Sequence, residues 1–259
     1  MRCISDFTAS DTGNHNAHVV AFPEVDWIKF TLDFVARFNT GKVLHFEPNL
    51  FTTQSEPHDT YAELFAIFNR INTILIDMSQ DLWRYISDEW LVQTVEGVGS
   101  SAMPQKVNPI DVENAEGNLK VAIAFGEMFS RELPKSRLQR DLSDSTVIRN
   151  FGALFGHCLV AYSSIQKGLS KYSVNEMAIR KALDEHPEVV AEALQTILRR
   201  EGIAEGHEVL RKATQGKKVT HQDLHDLIRG LPVSDAVKSD MQRITPHNYI
   251  GLAPKLARM

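Results

Sequence analysis

Residues 57–87 read PHDTYAELFAIFNRINTILIDMSQDLWRYIS, and their pattern predicts the fold class more clearly than any other part of the chain. Apolar side chains recur every three or four residues, at Leu64, Ile67, Phe68, Ile71, Ile74, Leu75, Met78, Leu82 and Ile86. This is the spacing of one face of an α-helix. Because proline occurs only at the first position and glycine nowhere, the stretch predicts one helix spanning roughly 45 Å. A helix of this length with polar faces is typical of an elongated bundle.

Three other stretches predict helices that complete this bundle. Residues 24–39 carry apolar side chains at helical spacing and are followed by glycine. A second long helix is expected to begin with Asn108 as its cap and Pro109 at its first position, and to end near residue 131. A third is expected from about residue 145 to about residue 167.

The remainder of the chain predicts a second, smaller domain. Beyond about residue 172 the helical segments become short and are interrupted by glycine and proline. Strand signals are nearly absent. The sequence therefore predicts an all-α protein, with an elongated bundle of long helices over residues 1–171 and a small C-terminal helical domain over residues 172–259.

The overall composition excludes several classes of partner. The 28 basic side chains are outnumbered by 33 acidic ones, and the net charge of −5 gives no general attraction to nucleic acid or anionic lipid. No apolar run approaches the ~20 residues of a membrane span. Two cysteines are too few for a disulfide framework. We therefore expect neither a nucleic-acid nor a membrane partner, and a cytoplasmic location.

The stretch GVGSSAMPQKVNP, residues 97–109, is the strongest candidate for chemistry. A glycine and serine loop leads into a predicted helix start and brings hydroxyls, the Lys106 ammonium and the Asn108 amide to the positive end of a helix dipole. Such a loop can close over an anionic ligand. Composition alone fits a linker with a solvated lysine equally well.

The longer string decides between these interpretations. GSSAMPQKVNPIDVEN, residues 99–114, closely resembles the signature loop of the fumarase/aspartase superfamily, which reads GSSxMPxKxNP followed by a glutamate. Several flanking segments are similar to those of the adenylosuccinate lyase family: GNHNAH (13–18), FPEVDW (22–27), TTQSEPHD (52–59), AELF (62–65), RLQRDLSDSTVIRN (137–150) and NYIGLA (248–253). The resemblance covers roughly residues 13–255.

This resemblance implies a reaction and an assembly. The family's central helical bundle forms a homotetramer. The reaction implied is anti β-elimination of fumarate, from adenylosuccinate to give AMP and from succinylaminoimidazole carboxamide ribotide to give aminoimidazole carboxamide ribotide. Both steps belong to purine synthesis. The substrate is a small nucleotide, and no cofactor or metal ion is expected.

The resemblance also assigns roles to single residues. Ser100 is implied as the general base, whose alkoxide must be stabilised by the loop and the helix end. Lys106 and Asn108 would hold the succinyl carboxylate. Glu113 matches the glutamate that partners the catalytic histidine. The remaining family matches are Ser101 and Met103, which shape the loop, and Gln54, which contacts substrate.

A second candidate site combines Arg140, Ser145 and Arg149. Ser145 and Arg149 are four residues apart and so share a helix face, and Ser145 is expected at a helix start, where free N–H groups face an anion. Arg140 can reach the same point from the preceding loop. The resemblance favours phosphate binding by these residues. Spacing alone favours ordinary surface arginines.

Departures from the family pattern leave alternatives open. The family's general-acid histidine lies in a motif that this chain lacks, and the resemblance begins abruptly at Gly13. We therefore expect a C-terminal part without the N-terminal region, whose activity could require a complementing N-terminal fragment. One alternative is a non-catalytic helical assembly module derived from a lyase. Another is a lyase of the argininosuccinate type, whose substrate carries no phosphate.

Overall fold

The computed structural model describes residues 2–3, 14–39, 46–51, 57–94, 108–137, 142–216 and 218–259. The chain divides into two compact units, which are described separately. The first comprises Met1–Ser87 and Gln93–Tyr172, and the second comprises Asp88–Val92 and Ser173–Met259.

Helices make up most of both units. The first unit contains α1 (Asn16–Ala21), α2 (Trp27–Ala36), α3 (Asp59–Ser87), α4 (Ile110–Glu132), α5 (Ser143–Ile148) and α6 (Phe151–Leu169). The second contains α7 (Glu176–Glu185), the 3₁₀ turn Pro187–Val190, α8 (Ala191–Arg200), α9 (Gly206–Thr214), α10 (His221–Gly230), α11 (Asp235–Gln242) and α12 (Ala253–Leu256). The all-α prediction is therefore confirmed.

The strands among the described residues are only two or three residues long. β1 (Arg2–Cys3) pairs in parallel with β2 (Glu47–Pro48), and β3 (Leu91–Gln93) pairs with β4 (Tyr172–Val174). No helix in the described ranges combines the length and the apolar composition that crossing a bilayer needs.

The three long helices α3, α4 and α6 pack side by side, with α4 antiparallel to both neighbours. At one end, the Ser130 hydroxyl of α4 donates to the Ala62 carbonyl of α3 at 3.2 Å. At the other, the Trp83 indole donates to Glu113 at 3.2 Å. We call the end formed by the first turns of α3 and α6 the Tyr61 end, and the opposite end the Trp83 end.

Aromatic side chains fill the core near the Tyr61 end. The rings of Phe65, Phe129 and Phe151 lie with their centroids 4.7–4.9 Å apart. Such ring pairs stabilise a core beyond the area that they bury. Val147 and Ile148 of α5 pack against the same cluster. The short helix α5 is thereby attached to this end of the bundle.

A polar cluster interrupts the apolar core in the middle of the bundle. Asn72 is fully buried, and its Oδ1 accepts a hydrogen bond from the Tyr162 hydroxyl at 2.6 Å. The Asn72 amide donates to the Cys158 sulfur at 3.4 Å. Burial raises the pKa of the Tyr162 hydroxyl, and its interaction with Cys158 adds to this effect. Because its members bond one another, the cluster is tolerated in a buried position.

The sequence predicted the extent of α3 but not which face it buries. The buried positions of α3 are Phe65, Asn72 and Ser79. By contrast, four members of the apolar pattern are 41–62% exposed in the single chain, at Leu64, Ile67, Ile71 and Ile74. We call these four residues the α3 stripe. The helix is apolar over more of its circumference than α4 and α6 cover.

Two predicted helix boundaries were wrong. The helix α4 begins at Ile110, because the Pro109 carbonyl accepts the Glu113 amide at 3.2 Å. Asn108 is therefore not its cap, and Pro109 precedes the first helical residue. The predicted helix over residues 145–167 is two helices, α5 and α6, separated at residues 149–150.

The second unit has its own apolar core. Its largest fully buried side chains are Leu194, Leu198 and Met241. They pack with Leu210, Leu224 and Ile228 from the following helices. A capping box at Thr220 and Asp223 fixes the start of α10, as the Thr220 side chain and the Asp223 carboxylate each accept from the other's amide.

Candidate active site

The structure describes four of the ten predicted site residues. Gln54, Ser100, Ser101, Met103, Lys106 and Arg140 lie outside the described residues. The other four lie within the described residues and form two groups. One group is Asn108 and Glu113, and the other is Ser145 and Arg149.

Asn108 and Glu113 lie at the Trp83 end of the bundle. Asn108 is half-buried and directly precedes Pro109 and α4. Glu113 is exposed in the first turn of α4, where the helix dipole favours a carboxylate. The Trp83 indole donates to Glu113 Oε1 at 3.2 Å. This bond and the dipole hold the carboxylate at the point where the signature-loop sequence leads into the helix.

A buried ion pair supports the same helix start. The Lys171 ammonium lies 2.6 Å from Asp111 Oδ2, and the two side chains are 12% and 8% exposed. Lys167 lies 3.7 Å from Asp111 Oδ1 but is 65% exposed. No local sequence pattern predicts this pair, because Asp111 and Lys171 are 60 positions apart. The pair joins the first turn of α4 to the residues that follow α6.

Tyr172 brings an unbonded hydroxyl to this cluster. Its oxygen is buried and has no hydrogen-bond partner among the described residues. Burial raises the pKa of Tyr172 to about 12, and the Asp111 and Glu113 carboxylates contribute to the rise. A side chain at Gly168 would meet this hydroxyl at 3.0 Å. Tyr172 was not predicted from the sequence as a site residue.

Ser145 and Arg149 lie with α5 at the Tyr61 end. The Ser145 amide donates to Asp144 Oδ1 at 2.6 Å, and its hydroxyl donates to the Leu142 carbonyl at 3.0 Å. Ser145 thus lies in the first turn of α5, but its own amide is not free for an anion. The Ser145 hydroxyl oxygen keeps its capacity to accept. The Arg149 side chain is exposed and forms no hydrogen bond or ion pair with any residue in the described ranges.

A histidine and an aspartate meet beside this group, and their pairing was not predicted from the sequence. The His58 Nε2 atom lies 3.1 Å from Asp144 Oδ2, with side chains 12% and 18% exposed. The two residues are 86 positions apart, so no local pattern could reveal the contact. The contact joins the segment before α3 to the first turn of α5.

The two groups lie far apart within one chain. The helix α4 runs for 23 residues between the Trp83 end and the Tyr61 end. At about 1.5 Å per residue, Glu113 lies about 30 Å from the last turn of α4, near which α5 packs. The structure therefore does not bring Asn108 and Glu113 together with Ser145 and Arg149 in a single chain.

Two family models match nearly consecutive parts of the chain. Residues 12–126 match the model described as Lyase, and residues 136–250 match the model described as Adenylosuccinate lyase C-terminal. Adenylosuccinate lyase from Dictyostelium discoideum is 52% identical over 94% of this chain and 52% of its own length. The enzyme of that name from Escherichia coli strain K12 is 46% identical over 93% of this chain and 52% of its own length. The chain thus spans about half the length of these relatives.

A solved structure supports the fold independently. The class II fumarase from Schistosoma mansoni aligns with a TM-score of 0.56 and 19% identity, over 85% of this chain and 48% of the fumarase chain. This likeness shows a common helical fold. The two family models and the close relatives show that the chain belongs to the adenylosuccinate lyase family of the fumarase/aspartase superfamily.

Proposed function

We propose that this chain contributes to an adenylosuccinate lyase, a C–N lyase that releases fumarate by anti β-elimination. The substrates would be adenylosuccinate, which gives AMP, and succinylaminoimidazole carboxamide ribotide, which gives aminoimidazole carboxamide ribotide. The observation that carries the proposal is the 46–52% identity to enzymes of that name over more than nine tenths of the chain. The proposal requires no cofactor or metal ion. A cytoplasmic location stays a prediction.

The chemistry is proposed for the Trp83 end. Ser100 would remove the proton next to the substrate carboxylate, and negative charge would build on that carboxylate in the transition state. Lys106 and Asn108 would hold it, because fixed donors aimed at developing charge lower the barrier most. Glu113 would orient a catalytic histidine, supported by its bond to Trp83 at 3.2 Å. Ser101 and Met103 would shape the loop.

Phosphate binding is proposed for the Tyr61 end. The Arg149 side chain is exposed and forms no hydrogen bond or ion pair within the described ranges. Its guanidinium could therefore form a bidentate pair with a phosphate. Ser145 would add its hydroxyl and Arg140 its guanidinium, and Gln54 would contact the substrate. Phosphate binding at this end would distinguish the proposed enzyme from an argininosuccinate-type lyase, whose substrate has no phosphate.

The separation of the two ends bears on assembly. Since Glu113 lies about 30 Å from α5 along α4, a complete site would combine the Trp83 end of one chain with the Tyr61 end of another. The α3 stripe offers an apolar face for such a neighbour, as exposed apolar patches mark interaction surfaces. We propose a homo-oligomer, with the family's tetramer as the specific form.

Turnover tests the proposed function directly. Conversion of adenylosuccinate is followed by its ultraviolet change, with the chain alone and with the part of the Escherichia coli relative that the chain does not match. We expect turnover in at least one preparation. Ser100→Ala should lower kcat by about 10²–10⁴, because it removes the general base. No turnover by folded protein in either preparation would contradict the proposal.

Ligand protection distinguishes an enzyme from a non-catalytic module. A ligand raises the thermal midpoint of a protein only if the folded state binds it. Adenylosuccinate should therefore raise the midpoint of both the unmodified chain and Ser100→Ala. A module without a site would show no rise in either.

A further inference from the structure

We infer that His58 and Asp144 are a positioning pair for the phosphate-binding residues at the Tyr61 end. The inference rests on the proposed function, since it assigns these two residues a task in binding a nucleoside monophosphate. Neither residue needs to touch the phosphate. Their task is to fix α5, which carries Ser145 and leads to Arg149.

The His58 ring is held in place from its own side of the contact. His58 directly precedes α3, and its carbonyl accepts the Ala62 amide at 3.1 Å. Its backbone adopts a left-handed conformation with φ of 58°, which is uncommon for a residue other than glycine. The ring stacks on Tyr61 with centroids 5.4 Å apart and an angle of 19° between the planes. Tyr61 in turn meets Phe151 edge-on at 5.7 Å.

The Asp144 carboxylate links the His58 ring to α5. One oxygen, Oδ2, lies 3.1 Å from His58 Nε2, and the other, Oδ1, accepts the Ser145 amide at 2.6 Å. The same carboxylate therefore links His58, directly before α3, to the backbone of Ser145, a proposed phosphate-binding residue. A six-residue helix such as α5 is not stable by itself and takes its position from tertiary contacts.

The pair also addresses a problem of charge. Asp144 is adjacent to Ser145, so an unpaired carboxylate here would repel an incoming phosphate. With one oxygen bonded to the imidazole and the other to a backbone amide, the carboxylate has partners on both sides. Loss of the histidine bond would free Oδ2 and would also loosen α5. Both effects should weaken phosphate binding specifically.

Two amide variants test the inference because they differ by one methylene. In His58→Gln the amide nitrogen occupies about the position of Nε2, and the bond to Asp144 can form. In His58→Asn the side chain is too short for that bond, although asparagine tolerates the left-handed backbone well. His58→Asn therefore removes the contact with Asp144 but preserves the backbone conformation at the start of α3.

Affinity for AMP and for adenosine, measured by calorimetry on the full chain in the preparation that turns over substrate, gives the readout. We expect His58→Asn to weaken AMP binding about tenfold, as one lost hydrogen bond to a charged group does, and to leave adenosine binding within about twofold. His58→Gln should stay within about twofold for both ligands. In turnover, His58→Asn should raise KM with kcat changed less than about threefold.

The outcomes separate this inference from the proposed function. If the unmodified chain binds AMP more tightly than adenosine but His58→Asn binds AMP equally well, the positioning role is wrong and the proposed function stands. The role is also wrong if His58→Gln is as weak as His58→Asn, or if both ligands weaken alike. If the unmodified chain shows no preference for AMP, the phosphate site of the proposed function fails and the inference fails with it.

Discussion

At the scale of single residues, the Trp83 end depends on one buried ion pair, between Asp111 and Lys171. Asp111 is 6% exposed, and its closest cation is Lys171 at 2.6 Å. A buried ion pair adds little to stability compared with an apolar pair, but removing one partner leaves a charge without compensation. The start of α4, and with it Glu113, therefore depends on Lys171.

Replacement of Lys171 tests this dependence. Lys171→Met should lower the free energy of unfolding by about 3–5 kcal/mol, because Asp111 would stay buried without its buried partner, and only the exposed Lys167 would remain near it. The matched control is Lys167→Met, which removes an exposed partner of the same carboxylate and should cost at most about 1 kcal/mol. Urea unfolding measures both. Equal losses in the two variants would contradict this account of Asp111.

The unbonded hydroxyl of Tyr172 predicts a dependence of stability on pH. In the folded chain the pKa of Tyr172 is raised to about 12, whereas its pKa in the unfolded chain is about 10. This contribution to stability is complete below about pH 10 and is lost as the pH rises towards 12.

Tyr172→Phe should reduce that loss. At neutral pH the variant should be as stable as the unmodified chain or slightly more stable, since the hydroxyl has no described partner. Between pH 10 and 12 its thermal midpoint should fall less steeply than that of the unmodified chain. Identical slopes in the two proteins would show that Tyr172 does not titrate as described.

At the scale of elements, the contact between α3 and α4 depends on a missing side chain. A Cβ at Gly126 would collide with the Asn69 side chain of α3, whose amide carbon would lie at 2.9 Å. Gly117, on the same helix, faces open space in the single chain. Substitutions at the two glycines therefore distinguish the effect of close helix packing from the effect of helix propensity.

Alanine at each position should have opposite effects. Gly126→Ala should destabilise the chain by about 1–3 kcal/mol, because Asn69 or the helix must move. Gly117→Ala should stabilise it by about 0.5–1 kcal/mol, as alanine loses less backbone entropy than glycine in a helix. Thermal unfolding of both variants provides the comparison. A gain in stability for Gly126→Ala would show that the helices are not packed as described.

The elements also show what the sequence can predict. Residues 59–87 form the long helix that their unbroken periodicity predicts. Periodicity gave no warning of the break at residues 149–150, since neither Arg149 nor Asn150 is a strong helix breaker. It also could not show that Asn72 and Ser79 are buried in the bundle, because that depends on which neighbours pack against α3.

The site was less predictable than the fold. Family resemblance indicated the residue types, but the partners of Asp111 and Asp144 are 60 and 86 positions away in sequence. Only the packing of α3, α4, α5 and α6 brings these pairs together. The distance of about 30 Å between Glu113 and α5 likewise follows from the antiparallel arrangement of the helices and from no local pattern.

At the scale of the whole molecule, the exposed α3 stripe predicts self-association. Ile74 is its most exposed member, at 62%. Ile74→Glu should leave the secondary structure intact and shift the chain to smaller species, because a carboxylate cannot be buried at an apolar contact without a partner. Thr73→Glu places the same charge on another face of α3 and serves as the control. Sedimentation measures both, and unchanged association of Ile74→Glu would exclude the stripe as the interface.

Mixing two inactive variants tests most directly whether one site is shared between chains. Ser100→Ala removes the base proposed for the Trp83 end, and Arg149→Glu reverses a charge at the Tyr61 end. Each alone should show little turnover of adenylosuccinate. If a site takes its two ends from different chains, random reassembly of equal amounts should restore about a quarter of the unmodified activity. If the mixture stays as inactive as its components, although the chains have exchanged, both ends act within one chain and the account is contradicted.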